Sequence, residues 1–151
     1  MGRTQNLPVG FSLYGGLNGQ WGDKNLDSSE QISLGGANAV RAYPVGEASA
    51  DLGIVFTGEL RYLLPKLGPL PGLVQLSGFV DQGYAEIDAR PLAGERNNIR
   101  NLLGIGFGVN WFEAGNFLAK TSVAWRLSGL PTSDNLEGTK PTVYFQVVKR
   151  F

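Results

Sequence analysis

From Leu52 to Leu64 the chain alternates without a break. Leu52, Ile54, Phe56, Leu60, Tyr62 and Leu64 share one side of an extended backbone, with Gly58 among them, and Thr57, Glu59 and Arg61 share the other. Side chains two apart face the same way in a strand and not in a helix, so the run specifies a strand with one apolar and one charged face. Pro65 closes it, because proline cannot continue the ladder. Five more segments carry the same period. Val9–Trp21 sets Val9, Phe11, Leu13, Leu17 and Trp21 against Ser12, Tyr14, Asn18 and Gln20. Leu73–Tyr84 sets Val74, Leu76, Val80 and Tyr84 against Gln75, Ser77, Phe79 and Asp81. Leu102–Phe112 sets Leu103, Ile105, Phe107, Val109 and Trp111 against Gly104, Gly106, Gly108 and Asn110. Phe117–Leu127 and Thr142–Phe151 complete the set, with Val123, Trp125, Val143, Phe145 and Phe151 on their apolar sides. Helical periodicity is absent, so the fold class is all-β.

These strands are long, about 10 to 13 residues where about 5 to 6 is typical of globular proteins, and a tilted membrane strand needs about 9 to 11. Their connections alternate too. Pro65–Gly72 and Glu113–Asn116 are short, whereas Gly22–Ala50, Ile87–Asn98 and Ser128–Pro141 are long and polar. Short turns at one end and long loops at the other are the layout of an outer-membrane barrel. Trp21, Tyr62, Tyr84, Trp111, Phe117 and Trp125 lie near strand ends on the apolar face, as the aromatic girdles of such barrels do. The competing reading is a soluble β-sandwich or lipocalin-like binding module, which also has one apolar face. No apolar run reaches the roughly 18 residues of a membrane helix, so any crossing is made by strands.

Composition removes most chemistry. The 151 residues hold no Cys and no His, which excludes disulfides, thiol chemistry and most zinc and triad sites. Lys plus Arg and Asp plus Glu are both 13, so no basic surface recommends a nucleic-acid partner. No carboxylate pair is placed for acid–base catalysis, and no enzyme, metal or cofactor is expected. "GIGFGV" (Gly104 to Val109) resembles a nucleotide fingerprint only on paper. Its glycines recur at every second position, so they line one face of a strand instead of a turn into a helix, and they make room for something packed against that face. "DKNLDSSEQISL" (Asp23 to Leu34) begins like a calcium loop but has Ser28 and Leu34 where Gly and Glu belong, which leaves a solvated loop.

Two motifs identify a family resemblance. Val40-Arg41-Ala42-Tyr43, preceded by Gly35-Gly36 and followed by "ELRY", resembles the Val-Arg-Gly-(Tyr/Phe) lid-loop signature of two-partner secretion transporters, the haemolysin secretion/activation proteins of FhaC/ShlB/HecB type. Phe79-Val80-Asp81-Gln82-Gly83 resembles their Phe-x-Asp-x-Gly signature. The resemblance covers essentially the whole chain. It implies the C-terminal part of an antiparallel transmembrane β-barrel, of about six strands over residues 1–151, without POTRA domains. A lid loop at about residues 22–51 would fold into the lumen. Arg41 would pair with Asp81 on a wall that also carries Phe79, Gly83, Glu59 and Arg61.

The resemblance also implies a Gram-negative outer-membrane location and a secretion pore that exports and activates a haemolysin- or adhesin-type client. Its partners would be that secreted client, outer-membrane lipid, and the barrel assembly machinery through a terminal signal at Phe151. A BamA-like insertase and a soluble ligand-binding barrel stay as alternatives. Ala42 stands where the family keeps Gly, and if that position requires a positive φ the tip is strained by about 1 kcal/mol.

Overall fold

The computed structural model describes residues 1–91, 98–129 and 140–150. Parts of two long connections predicted from sequence, and Phe151, lie outside the described residues. In chain order the strands are β1 (Gly2–Asn6), β2 (Phe11–Gln20), β3 (Ile32–Ser33), β4 (Ser49–Ala50), β5 (Leu52–Leu63), β6 (Leu73–Glu86), β7 (Ile99–Glu113), β8 (Phe117–Ser128) and β9 (Thr142–Lys149). Seven form one sheet in the order β1-β2-β5-β6-β7-β8-β9. Every pairing in it is antiparallel. β3 and β4 pair only with each other, inside the long loop between β2 and β5.

The sheet has one strand more than the six predicted. β1 carries Gly-Arg-Thr-Gln-Asn with every residue exposed, so no apolar period marks it. It forms because β2 offers it a free ladder, with Gly2 opposite Gly16 and Asn6 opposite Ser12. The ends of β6, β7 and β8 move outward by one to three residues, while those of β2, β5 and β9 draw in by one or two. β7 begins at Ile99 and ends at Glu113, and β6 extends to Glu86. Hydrogen bonding continues there past the last clearly apolar position.

Register converts the alternation into rows across the sheet. On one face Tyr14, Glu59, Phe79, Gly106 and Ala124 stand opposite one another on β2, β5, β6, β7 and β8. The neighbouring row is Gly16, Thr57, Asp81, Gly104 and Arg126, and the next toward the long loops is Asn18, Val55, Gly83 and Leu102. On the opposite face Phe56, Leu60, Leu76, Val80, Ile105, Phe107, Val109 and Val143 are exposed. At the short-turn end Phe11 stacks on Tyr62 with ring centroids 4.6 Å apart, and Trp111 meets Phe117 edge-on at 4.8 Å. A predominantly apolar band, interrupted on β6 by Gln82 between Phe56 and Leu103, with aromatics at its rim is a face suited to hydrocarbon.

The core lies between the sheet's inner face and the loop that crosses it. Leu34, Val40, Ala42, Tyr43 and Ala50 of the loop are fully buried, against Val55, Phe79, Ala85, Leu102 and Ala124 of the sheet. Glycines on β6 and β7 create the space. A Cβ built on Gly83 would meet Val40 at 2.9 Å, and one on Gly104 would meet Ala42 at 2.5 Å. Real Cβ atoms do not approach that closely, so of the "GIGFGV" glycines Gly104 makes room for the packed-in segment, while Gly106 and Gly108 clear wall residues, Phe79 and Val123 for the first and Ser77 for the second,.

Candidate functional site: the lid tip on the inner wall

The loop between β2 and β5 is tied together before it touches the wall. Leu34 and Gly35 donate their backbone N–H groups to the Glu47 carbonyl, at 3.2 and 3.1 Å, and Val40 donates to Leu34 at 2.9 Å. Tyr43 donates to Val40 at 3.1 Å, closing a turn around Arg41 and Ala42. Gly36, at φ 131°, and Gly46, at φ 85°, occupy conformations that other residues avoid,. The tip is therefore presented as a preformed turn.

Arg41 is the centre of the contact. Its Nε and Nη2 donate to Asp81 Oδ2 and Oδ1, both at 2.8 Å, a two-pronged fork on one carboxylate,. Its backbone N–H adds a third bond to Oδ2 at 3.1 Å. The remaining nitrogen, Nη1, donates to Glu59 Oε1 at 2.6 Å. The guanidinium lies over the Phe79 ring, 3.4 Å from its centroid, where cation–π attraction adds to the ion pairs. Thr57 Oγ donates to Asp81 Oδ1 at 3.0 Å, and Arg61 donates to the other oxygen of Glu59 through Nε at 2.7 Å. Side-chain exposure is 5% for Arg41, 0% for Asp81, 10% for Glu59 and 25% for Arg61. The pairs made by Arg41 are thus shielded from water, whereas Arg61 is partly exposed, and geometry as well as charge holds the Arg41 pairs,.

The rest of the tip spans the sheet. Val40 sits over Gly83 and Ala42 over Gly104. The Tyr43 hydroxyl reaches the far end of β8, where it donates to the Ser128 carbonyl, with the Gly129 carbonyl at 3.2 Å. β9 pairs with β8 only as far as Ala124, so the tyrosine meets a carbonyl that β9 does not cover. β9 answers from its own side. Thr142 Oγ donates to the Ala42 carbonyl at 3.0 Å, and the Tyr144 hydroxyl to the Tyr43 carbonyl at 2.7 Å. Four consecutive loop residues thus touch strands from β5 to β9.

Ala42 corrects one expectation. Among the described residues, the non-glycine positions with positive φ are Val9 and Ala48, not Ala42. No left-handed strain arises from Ala in place of Gly, and its methyl fills the space above Gly104.

Another buried carboxylate, away from Asp81 and Glu59, went unnoticed in the sequence. Asp51, fully buried at the foot of the loop just before β5, accepts from Leu26 N–H at 3.1 Å and Gln31 Nε2 at 2.9 Å on one oxygen, and from Ala89 N–H at 2.9 Å on the other. Asn25 clasps the backbone of Arg90 beside it, accepting from its N–H at 2.8 Å. The foot of the loop is thereby fastened to the β6–β7 connection. Burial raises the Asp51 carboxyl, but the bonds from Ala89, Gln31 and Leu26 outweigh it and hold the group below the usual carboxylate value,. An Asp before a strand signals nothing by itself; only the convergence of three donors from distant segments marks it.

The predicted residues Val40, Arg41, Ala42, Tyr43, Glu59, Arg61, Phe79, Asp81 and Gly83 all come together here. Ion pairs, hydrogen bonds and one cation–π contact join the lid tip to the wall here.

Comparison with known proteins agrees with this geometry. The profile of the family described as haemolysin secretion/activation protein ShlB/FhaC/HecB matches residues 4–111. Two proteins named heme/hemopexin transporter protein HuxB, from Haemophilus influenzae strains 86-028NP and ATCC 51907 / DSM 11121 / KW20 / Rd, are each 30% identical over 154 and 155 residues. The alignments cover 100% of this chain but 26% of each relative, so the chain spans about a quarter of their length. No solved structure matches it.

Proposed function

This chain belongs to the haemolysin secretion/activation family, transporters of the Gram-negative outer membrane and not enzymes, and we propose that it forms the lid-bearing wall of a β-barrel that exports a client protein. The observation that carries the reading is the Arg41 fork on Asp81, with Glu59 on its third nitrogen. A loop this long, folded back onto the inner face and held by a buried ion pair, fits a gate that closes a polar conduit and releases on a client's arrival.

The sheet is one wall of a larger barrel in this reading. Seven strands fall short of the eight of the smallest membrane barrels. The outer edges of β1 and β9 have no strand partner among the described residues, and bare edges are not tolerated in hydrocarbon. Neighbouring strands complete the wall, and lipid covers the apolar band. The client is a secreted protein that passes unfolded, of the haemolysin or adhesin type that the family's signature motifs suggest. The exposed apolar face and the family membership speak against a soluble binding module.

The test combines secretion with conductance for the whole transporter. Arg41→Ala should increase channel opening in planar bilayers and change the yield of secreted client. If both stay at wild-type level in a folded barrel, the loop is not a gate. Assembly of other barrels, assayed in the same strain, separates this reading from that of an insertase, which predicts a defect there.

A further inference from the structure

We propose that Arg61 is a counter-cation built into the wall to ease release of the lid, an inference that rests on the gating role proposed for Arg41. Glu59 and Arg61 stand two apart on the same face of β5, so their pair belongs to the wall and persists whatever the lid does. Arg61 holds Glu59 through Oε2, with Nε at 2.7 Å and Nη2 at 2.6 Å. Arg41 holds the same carboxylate through Oε1, at 2.6 Å. Two guanidinium groups, one on the lid and one on the wall, therefore divide a single negative charge. The Tyr14 ring on β2, 4.2 Å from the Arg61 guanidinium carbon, keeps Arg61 in place from the other side.

The charge balance has a consequence for opening. With the lid seated, Arg41, Arg61, Glu59 and Asp81 sum to zero. When Arg41 leaves, Arg61, Glu59 and Asp81 remain of these four, a net single negative charge, on a face that also carries Lys120 and Arg126. Without Arg61 the two carboxylates would keep one positive charge fewer beside them. Withdrawing a cation from a more negative cluster costs more. Arg61 therefore acts against the seated lid twice, by repelling Arg41 across Glu59 and by satisfying Glu59 once Arg41 has gone. It also lines a cavity of about 380 Å³ beside the lid tip, with Tyr14, Asn18, Asn38 and Lys120, so the released Glu59–Arg61 pair has space for water. Asp81 keeps the Thr57 hydroxyl at 3.0 Å.

The sign of the effect makes this testable. In the whole transporter, Arg61→Gln should lower the open probability in planar bilayers by about fivefold, the scale of a partly exposed ion pair. A residue that merely supports the lid would raise it. Arg61→Lys, which keeps the charge, should stay near wild type. In a Glu59→Gln background, Arg61→Gln should do much less, because the shared carboxylate is gone. Folding is checked by heat-modifiable migration. Arg61→Met, which keeps the stem against Tyr14, must shift opening the same way as Arg61→Gln. Unchanged or increased opening in Arg61→Gln overturns the proposal, as does failure of both neutral variants to fold. Arg41→Ala runs alongside. If it does not open the channel, the gating role itself fails; if it does and Arg61→Gln does not close it, only the role of Arg61 fails.

Discussion

Replacing Arg41 by Ala removes three side-chain bonds at once, the fork of 2.8 Å bonds on Asp81 and the 2.6 Å bond to Glu59. What stays behind decides the magnitude. Asp81 is fully buried and keeps the Thr57 hydroxyl and the backbone N–H of residue 41. Glu59 keeps Arg61. One carboxylate is thus left under the lid without a cation, and truncating one partner of a buried pair costs about 3–5 kcal/mol. No large discount for solvent applies, because Arg41 and Asp81 side chains are 5% and 0% exposed. In the open state Asp81 meets water, so the cost falls on the closed state alone. At about 1.4 kcal/mol per factor of ten, the closed-to-open ratio should fall by roughly two to three and a half powers of ten. Single-channel recording of the whole transporter measures that ratio directly. Arg41→Lys should fall between, since a lysine keeps the charge but cannot form the fork. A change below about threefold for Arg41→Ala, in a barrel shown to be folded, would refute the claim that this pair holds the lid.

Other perturbations reach separate parts of the contact. Gly104→Val places a branched side chain where even a Cβ lies 2.5 Å from Ala42; it should unseat the lid tip and raise conductance while the sheet still folds, and preserved closure would count against tight packing there. Tyr43→Phe removes the hydroxyl from Ser128 and Gly129 and should cost about 1 kcal/mol, read as faster hydrogen exchange across residues 40–43. Asp51 sets a pH dependence. Its folded-state pKa is depressed, so its stabilisation is fully present above the unfolded value near 4 and is lost as pH falls through the lower folded value. The foot of the lid should stay protease-resistant from about pH 5 to 8 and open only below about pH 4, and loosening near neutrality would contradict this. Ile105→Arg, on the outer face of β7, should destabilise the barrel by about 2–4 kcal/mol if that residue lies near the bilayer midplane, measured by urea titration of protein folded into vesicles.

The division between sequence and structure follows the range of the forces involved. Alternation is a local property, fixed by the two-residue repeat of the extended backbone. It told correctly which of Thr57, Glu59, Phe79 and Asp81 share a face, and that Gly104 and Gly106 leave that face open. The pairing of Arg41 with Asp81 came from resemblance to a family and not from periodicity, since the two lie 40 residues apart. Tertiary structure alone decided the rest. β1 has no pattern of its own and exists because β2 has a bare edge. Tyr43 finds Ser128 because β9 pairs with β8 only up to Ala124, a matter of register. Asp51 is fastened by donors from residues 26, 31 and 89, which no local pattern connects. Ala42 escapes strain because the tip turns without a positive φ there. For Tyr43 and Asp51 a polar group had to find its partner across the fold, and burial made that partner obligatory.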